Sequence, residues 1–100
     1  MVVSEYATGR LREVFEYERR KNGLRYALQV ASLIREHMNA LRTFPEGHPK
    51  VEGHGAKYEI RYRRVESYKI MFRVRSDEPV VDILTVRNDA ESPDVVLGDL

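Results

Sequence analysis

The sequence predicts an α+β domain in which an N-terminal antiparallel helical hairpin packs on a small, mainly antiparallel sheet of three to four strands. Apolar residues recur every three to four positions over residues 5–41, alternate with basic residues over 58–75, and form a third run over 80–87. The first spacing is typical of helices and the second is typical of strands. We treat the 100 residues as a single domain, since this length can bury a two-layer core without metal or disulfide staples.

Two helices are expected within residues 5–41. The first runs from about Glu5 to Lys21, and its apolar positions are Ala7, Leu11, Val14 and Phe15. Asn22-Gly23 then offers the left-handed backbone that ends many helices. The second helix continues to about Leu41 with an apolar face of Leu24, Leu28, Ala31, Ile34, Met38 and Leu41. Phe44-Pro45 stops it, because proline lacks the N–H that a helix needs and restricts the residue before it.

A loop over 42–56 leads to three strands, expected at about 58–65, 68–75 and 80–87. The reversals are placed at Val65-Glu66-Ser67 and at Ser76-Asp77-Glu78-Pro79, which are rich in turn residues. The third strand carries apolar residues on both sides, which favours a central position in the sheet. Residues 88–100 form an acidic tail with one short apolar group at Val95–Leu97.

The charge of the chain is strongly asymmetric although its net value is only +1. Residues 57–75 hold seven basic and two acidic residues, whereas 76–100 hold one basic and seven acidic. Alternation within the first two strands predicts one basic sheet face, formed by Arg61, Arg63, Lys69, Arg73 and Arg75. Such a face is either a solvated surface or a surface that binds an acidic partner. The acidic tail argues against a general nucleic-acid binder, because those domains are usually basic as a whole.

Several classes of function are excluded or disfavoured by composition. The chain has no cysteine, so thiol catalysis and thiolate metal sites are excluded. His48 and His54 lie six residues apart in a glycine-rich loop without acidic companions in metal-site spacing, so we expect no metal and no cofactor. Without a leader-like N-terminus or an apolar run long enough to span a membrane, the sequence is read as cytoplasmic.

The order of these elements resembles the RelE/ParE toxin superfamily of type II toxin–antitoxin systems. The resemblance covers roughly residues 5–97. It lies in the helical hairpin, the loop Leu41-Arg42-Thr43-Phe44-Pro45, the strand Tyr68-Lys69-Ile70-Met71-Phe72-Arg73 and the segment Ile83-Leu84-Thr85-Val86-Arg87-Asn88. The opening strand of the superfamily would be reduced here to Met1 to Ser4. The tail is closer to that of the ParE branch.

The resemblance implies one of two activities. The fold is the same for both, so they can be distinguished only by the residues that each activity requires. The ParE branch poisons DNA gyrase by binding, which requires no proton-transfer pair. The RelE branch cleaves messenger RNA on the ribosome, which requires groups that move protons and cations that stabilise the phosphate. For this alternative the available residues are His48, His54, Glu59 and Arg87, but the His or Tyr that the branch often carries after its last strand is missing.

We therefore expect a ParE-like gyrase inhibitor in which the basic sheet face contacts the target. The resemblance also implies a cognate antitoxin as partner, in a hetero-oligomeric complex that neutralises the toxin. The alternatives are the ribosome-dependent endoribonuclease, with the ribosome and mRNA as partners, and an inactive member that retains only antitoxin binding.

Overall fold

Two helices precede a four-stranded sheet in the part of the chain that the computed structural model describes, which is residues 1–53, 55, 57–75, 77–78 and 80–89. In chain order the elements are β1 (Val2–Val3), α1 (Glu5–Asn22), α2 (Leu24–Ala40), a 3₁₀ turn (Pro45–Gly47), β2 (Arg61–Val65), β3 (Tyr68–Val74) and β4 (Val81–Asn88). His54, Ser76, Pro79 and the predicted tail from residue 90 lie outside the described residues.

The sheet has the strand order β1-β4-β3-β2. Strands β2, β3 and β4 pair antiparallel, and β1 pairs parallel with β4. This confirms the predicted α+β class and the central position of the third predicted strand. The opening strand that the resemblance reduced to Met1 to Ser4 is present as two residues.

Local chemistry defines both ends of α1. The Ser4 hydroxyl accepts a hydrogen bond of 3.0 Å from the Ala7 amide, as expected of an N-cap, and donates one of 3.1 Å to the carbonyl of Leu84 in β4. At the other end Gly23 has φ +92° and ψ 167°, a backbone conformation that is essentially restricted to glycine. Helix α2 begins at the next residue, so this glycine makes the turn of the hairpin.

The core lies between the helices and one side of the sheet. Helix α2 contributes the buried residues Ala27, Val30, Ile34 and Met38, and Leu41 follows directly after it. The prediction for α2 was wrong at Leu24 and Leu28, which are 56% and 55% exposed. The stripe of buried residues runs back from Ile34 through the smaller Val30 and Ala27, because these side chains lie one above the other at helical spacing.

A bulge in β4 decides which of its side chains enter this core. Met71 in β3 pairs with Thr85, but the next residue, Phe72, pairs with Ile83, so Leu84 is the extra residue. As a result Ile83 and Val86 both pack in the core under the helices. Strict alternation would place Val86 on the opposite side from Ile83, because the two are three residues apart.

The outer edge of β2 is partly covered by the chain that precedes it. The Val51 amide donates a hydrogen bond of 2.7 Å to the Ile60 carbonyl, and the Tyr62 amide donates one of 3.1 Å to the Pro49 carbonyl. Lys50 and Arg61 form an antiparallel bridge between these two bonds. Residues 49–51 therefore lie along the first half of the edge.

Candidate functional site

The five cations of the predicted basic face lie on two sides of the sheet, so the prediction of one basic face was wrong. Arg61 pairs with Phe72 and Arg63 with Ile70, and residues paired in an antiparallel ladder share a face. Both of these β3 partners belong to the core under the helices. Arg61 and Arg63 therefore lie on the helix-facing side, whereas the cations of β3, Lys69 and Arg73, lie on the far side with Met71.

The error came from the aromatic residues of the first two predicted strands. Tyr62 pairs with Met71 on the far side, where Ile60 and Met71 form a second buried cluster with Tyr58 and Tyr62 packed against it. A shift of one residue exchanges the two faces of a strand, and alternation alone does not say which face meets the helices. Both sides of the sheet thus carry apolar residues mixed with cations.

On the helix-facing side, the two arginines of β2 contact groups from three other parts of the fold. Arg63 donates a hydrogen bond of 2.8 Å from Nε to Nδ1 of His37 in α2. Arg61 donates one of 2.7 Å from Nη1 to the carbonyl of His48, which follows the 3₁₀ turn. The carboxylate of Glu59 lies 3.3 Å from Nη2 of Arg61 and 2.7 Å from Nζ of Lys50.

The charges of these two arginines affect the pKa of the His48 imidazole. Burial lowers the pKa of His48, and the positive charges of Arg63 and Arg61 lower it further. Its ring meets the Phe72 ring edge-on, with 5.8 Å between the centroids. We therefore expect a neutral imidazole at pH 7, wedged between the core and two guanidinium groups.

On the far side, cations stack on tyrosines and pair with carboxylates. Nζ of Lys69 lies 4.9 Å from the centre of the Tyr62 ring, and the Arg73 guanidinium lies 4.4 Å from that of Tyr58. Both distances are within the range of cation–π attraction. Lys69 also lies 3.7 Å from the carboxylate of Asp89.

Asp82 in β4 fixes the end of β3. Arg75 donates two hydrogen bonds to its carboxylate, of 2.9 Å from Nε and 3.0 Å from Nη2, and Nε of Arg73 lies 3.5 Å away. The hydrogen bond and charge of Asp82 raise the pKa of Arg75. A fork of this kind fixes the guanidinium in direction as well as in charge.

Three of the five cations nevertheless meet at one end of the sheet. They surround a cavity of about 340 Å³, here called the arginine cleft, which is lined by Arg61, Arg73, Arg75, Tyr58, Glu46, Glu59 and Val74. Glu46 and Glu59 line the cleft with the three guanidinium groups, and Asp82 pairs with Arg73 and Arg75, so each guanidinium already has a carboxylate partner. An acidic group of a partner can bind there by replacing an exposed carboxylate such as Glu59, since arginine can hold an acid through two parallel hydrogen bonds. Arg63 and Lys69 lie away from this cleft.

The residues of the nuclease alternative do not form one site in the part of the chain that is described. Arg87 is only 4% exposed and pairs in the sheet with Lys69, so it lies on the far side, whereas the ring of His48 packs against Phe72 on the helix-facing side. Glu59 is held by Lys50, whose hydrogen bond lowers the pKa of the carboxyl group, which disfavours it as a proton donor. His54 is outside the described residues.

A second and larger cavity, about 680 Å³, lies beside α1. This α1 groove is lined by Arg10, Arg12, Glu13, Val14, Glu16, Tyr17, Arg20, Tyr68 and Asn88. Arg12 and Arg20 are exposed, and Val14 and Tyr68 are buried. Below it the Tyr68 hydroxyl donates a hydrogen bond of 2.6 Å to Glu18. The groove combines an apolar floor with charged walls, in which three arginines stand beside Glu13 and Glu16.

Sequence reasoning did not find His37 as part of a polar cluster. Its neighbours in the sequence, Glu36 and Met38, indicate no partner for it. Its contact with Arg63 joins residues 26 positions apart, and no local spacing reports such a contact.

Among residues 1–53, 55, 57–75, 77–78 and 80–89 there is no group of three or more His, Cys, Asp or Glu side chains that could hold a metal ion. Within the same residues, neither helix has the length and apolar character needed to cross a bilayer.

Comparisons with known proteins agree with the resemblance. The model of one protein family, described as the ParE toxin of the type II toxin-antitoxin system parDE, matches residues 1–93. A search of curated proteins gives no match. The solved chromosomal ParDE TA system from P. aeruginosa contains a chain that is similar, with a TM-score of 0.67 and 19% identity over 88% of this chain and 95% of that chain. At this identity the structural likeness shows a shared fold. Because the family match spans nearly the whole sequence, the chain belongs to the ParE toxin family of type II toxin–antitoxin systems.

Proposed function

We propose that this toxin acts in the cytoplasm by binding DNA gyrase, and that a cognate antitoxin neutralises it. The observation that carries the proposal is the ParE family match over residues 1–93. Members of the ParE branch inhibit gyrase by binding rather than by chemistry on RNA. The geometry of the described residues is compatible with this, because it offers cationic binding surfaces.

The distribution of the nuclease residues favours binding over RNA cleavage. A cleavage site needs an acid, a base and a cation around one phosphate. Here His48 and Arg87 lie on opposite sides of the sheet, and Arg87 is buried. These two residues could act on one phosphate only if the sheet were rearranged.

We assign target contact to the arginine cleft. Its guanidinium groups are held in place by Glu59 and Asp82, so they are oriented before any partner arrives. The side chain of Glu59 is 58% exposed, so an acidic group of the target can replace it on Arg61 at little cost. Such preorganisation reduces the entropy that is lost on binding.

We assign antitoxin contact to the α1 groove. An amphipathic helix can place its apolar side on Val14 and Tyr17 while acidic residues on its flanks meet Arg12 and Arg20. Charge complementarity of this kind accelerates association and selects the partner. The toxin would then bind its antitoxin through the α1 groove and its target through the arginine cleft, which are different surfaces.

The test is a pair of assays with the purified protein. In the first, gyrase and supercoiled plasmid are incubated with the toxin, and trapped cleavage complexes are released as linear DNA by detergent and protease. In the second, translating ribosomes are incubated with the toxin and the mRNA is mapped by primer extension. We expect linear DNA in the first assay and intact mRNA in the second.

The antitoxin provides the control. Its addition should abolish the linear DNA, and its co-expression should remove the growth arrest that the toxin causes alone. Cutting of mRNA without trapping of gyrase would overturn the proposed target. Antitoxin binding without growth arrest would identify the chain as an inactive member of the family.

A further inference from the structure

Arg63 differs from the other cations of β2 and β3 in its surroundings. Among the described residues, each of the others has a carboxylate within 4.0 Å, in the pairs Arg61–Glu59, Arg64–Asp89, Lys69–Asp89, Arg73–Asp82 and Arg75–Asp82. Arg63 has no such carboxylate within the described chain, and the partner of its Nε is the ring nitrogen Nδ1 of His37. Its positive charge is therefore not compensated locally.

The hydrogen bond from Arg63 orients the His37 ring. Nδ1 of the imidazole accepts from Nε of Arg63 at 2.8 Å, so the second ring nitrogen, Nε2, is the one that can donate to another group. Because Nε of Arg63 is used in this contact, its two terminal nitrogens are available to a ligand.

His48 completes the cluster from a third element. It is half-buried, its ring meets the Phe72 ring edge-on at 5.8 Å, and its carbonyl accepts a hydrogen bond of 2.7 Å from Nη1 of Arg61. Burial lowers the pKa of its imidazole, and the charges of Arg63 and Arg61 lower it further. A neutral imidazole always keeps one N–H that can donate. Groups from α2, from β2 and from the end of the 3₁₀ turn thus all lie on the helix-facing side, where His37 contacts Arg63 and the ring of His48 packs on Phe72.

We propose that Arg63, His37 and His48 form a binding site for a phosphate group. Three donor groups on separate elements suit a tetrahedral anion with several oxygens better than a planar carboxylate, for which one arginine fork suffices. The phosphate can belong to a nucleotide or to a nucleic-acid backbone, since both present the same oxygens. This site is distinct from the arginine cleft, and it does not depend on gyrase being the target.

Binding of an anion should change the titration of His48. The groups that face it are Arg61 and Arg63 from β2 and the Phe72 ring from β3, with His37 beyond Arg63 and Glu59 beyond Arg61. An anion offsets the repulsion from the two guanidinium groups and favours the imidazolium form. Phosphate binding should therefore raise the pKa of His48, and by linkage the anion should bind more tightly at lower pH.

The experiment follows the imidazole signals of His37 and His48 by NMR in the full chain. Inorganic phosphate is added first, and sulfate serves for the pH series because it remains a dianion from about pH 5 to 8, where imidazoles titrate. We expect saturable shifts of both rings, a raised His48 pKa and tighter sulfate binding at the acidic end. The ring nitrogen shifts should also show Nε2 as the protonated atom of His37.

Arg63→Gln should reduce the affinity for phosphate at least about tenfold, because a charged hydrogen-bonding partner is lost. Arg64→Gln is the matched control, since Arg64 is the next residue, is 60% exposed and pairs with Asp89. It should leave the affinity unchanged. Arg63→Lys keeps the positive charge but lacks the two parallel donors of a guanidinium, so this variant should bind phosphate with intermediate affinity. If Arg63→Gln does not fold, the affinity of Arg63→Lys tests the proposal in its place.

The source of the phosphate is resolved by two further titrations, one with adenosine monophosphate and one with a short DNA duplex. Shifts of His37 and His48 with the nucleotide alone identify a small-molecule site, and stronger shifts with the duplex identify a backbone site. Both results support the proposal. Absence of saturable shifts with all four probes, or equal losses in Arg63→Gln and Arg64→Gln, would overturn it, whatever the outcome of the gyrase assay.

Discussion

The hydroxyl of Tyr68 in β3 donates a hydrogen bond of 2.6 Å to the Glu18 carboxylate in α1, and both residues are buried. The second carboxylate oxygen accepts a hydrogen bond of 2.7 Å from Asn22 in the last turn of the same helix. A buried carboxylate is tolerated when hydrogen bonds satisfy its oxygens. The pair therefore fixes the end of α1 to the sheet at the floor of the α1 groove.

Tyr68→Phe should lower the free energy of unfolding by about 1.5–3 kcal/mol, because a buried carboxylate loses a charged hydrogen bond. Urea denaturation followed by circular dichroism measures this value. Tyr26→Phe is the control, since Tyr26 lies in α2 and is 43% exposed, and it should change little. Equal stabilities of the two variants would contradict the structural role of the Tyr68 hydroxyl.

Because of Tyr68, we also expect the free energy of unfolding to fall at alkaline pH. Burial, followed by the hydrogen bond to Glu18, raises the pKa of the Tyr68 phenol above its ordinary value. The folded state thus holds this proton more tightly than the unfolded state. The contribution to stability is complete below the unfolded value of about 10 and is lost as the pH rises above it.

Wild-type protein should accordingly lose up to about 1.4 kcal/mol more stability per pH unit above pH ~10 than Tyr68→Phe does. Urea midpoints measured in a pH series give this comparison. Parallel curves for the wild type and Tyr68→Phe would show that the phenol ionises equally well in both states.

Two glycines predict changes of opposite sign. Gly23→Ala should destabilise the protein by about 1–3 kcal/mol, since the backbone there has φ +92° and alanine strongly disfavours that region. Gly9→Ala should stabilise it by about 0.5–1 kcal/mol, because the residue lies inside α1 and an added Cβ meets nothing within 4 Å. Thermal unfolding of both variants measures the difference. A stabilising Gly23→Ala would contradict the hairpin geometry.

The arginine cleft predicts a loss of toxicity without a loss of folding. Joint replacement of Arg61, Arg73 and Arg75 by Ser should abolish growth arrest and gyrase trapping, because the cleft then lacks its guanidinium groups. Arg64→Ser is the control, since Arg64 is exposed and does not line the cleft. Solubility in complex with the antitoxin checks folding. Growth arrest that persists in the triple variant would remove target contact from the cleft.

The helices, the hairpin turn and the order of the strands could be predicted from the sequence, because they depend on residues that are neighbours in the chain. Asn22-Gly23 marked the hairpin turn because few residues other than glycine adopt its backbone geometry, and the order of helices and strands was sufficient to indicate the family. The extent of the first predicted strand was wrong by three residues. It was expected from residue 58, but the strand is β2, which begins at Arg61, where its pairing with Phe72 of β3 begins.

The side chains that form the candidate sites could be predicted only as a set of cations. Which side of the sheet Arg61 and Arg63 occupy depends on the register with β3, and a strand alone does not encode that choice. The bulge at Leu84 likewise broke the alternation that had separated Ile83 from Val86. The contact of Arg63 with His37 needed the packing of α2 on the sheet, which no spacing in the sequence reports.

The segment formed by residues 49–51 has a consequence for how copies of this protein meet. Extended chains usually grow into fibrils by adding on to the unpaired margin of a sheet. Along β2 that margin is already half occupied by the molecule's own backbone, through the bonds from Val51 to Ile60 and from Tyr62 to Pro49. An incoming identical chain therefore finds only a shortened free stretch, so the molecule's own backbone protects this margin in addition to the arginines of β2.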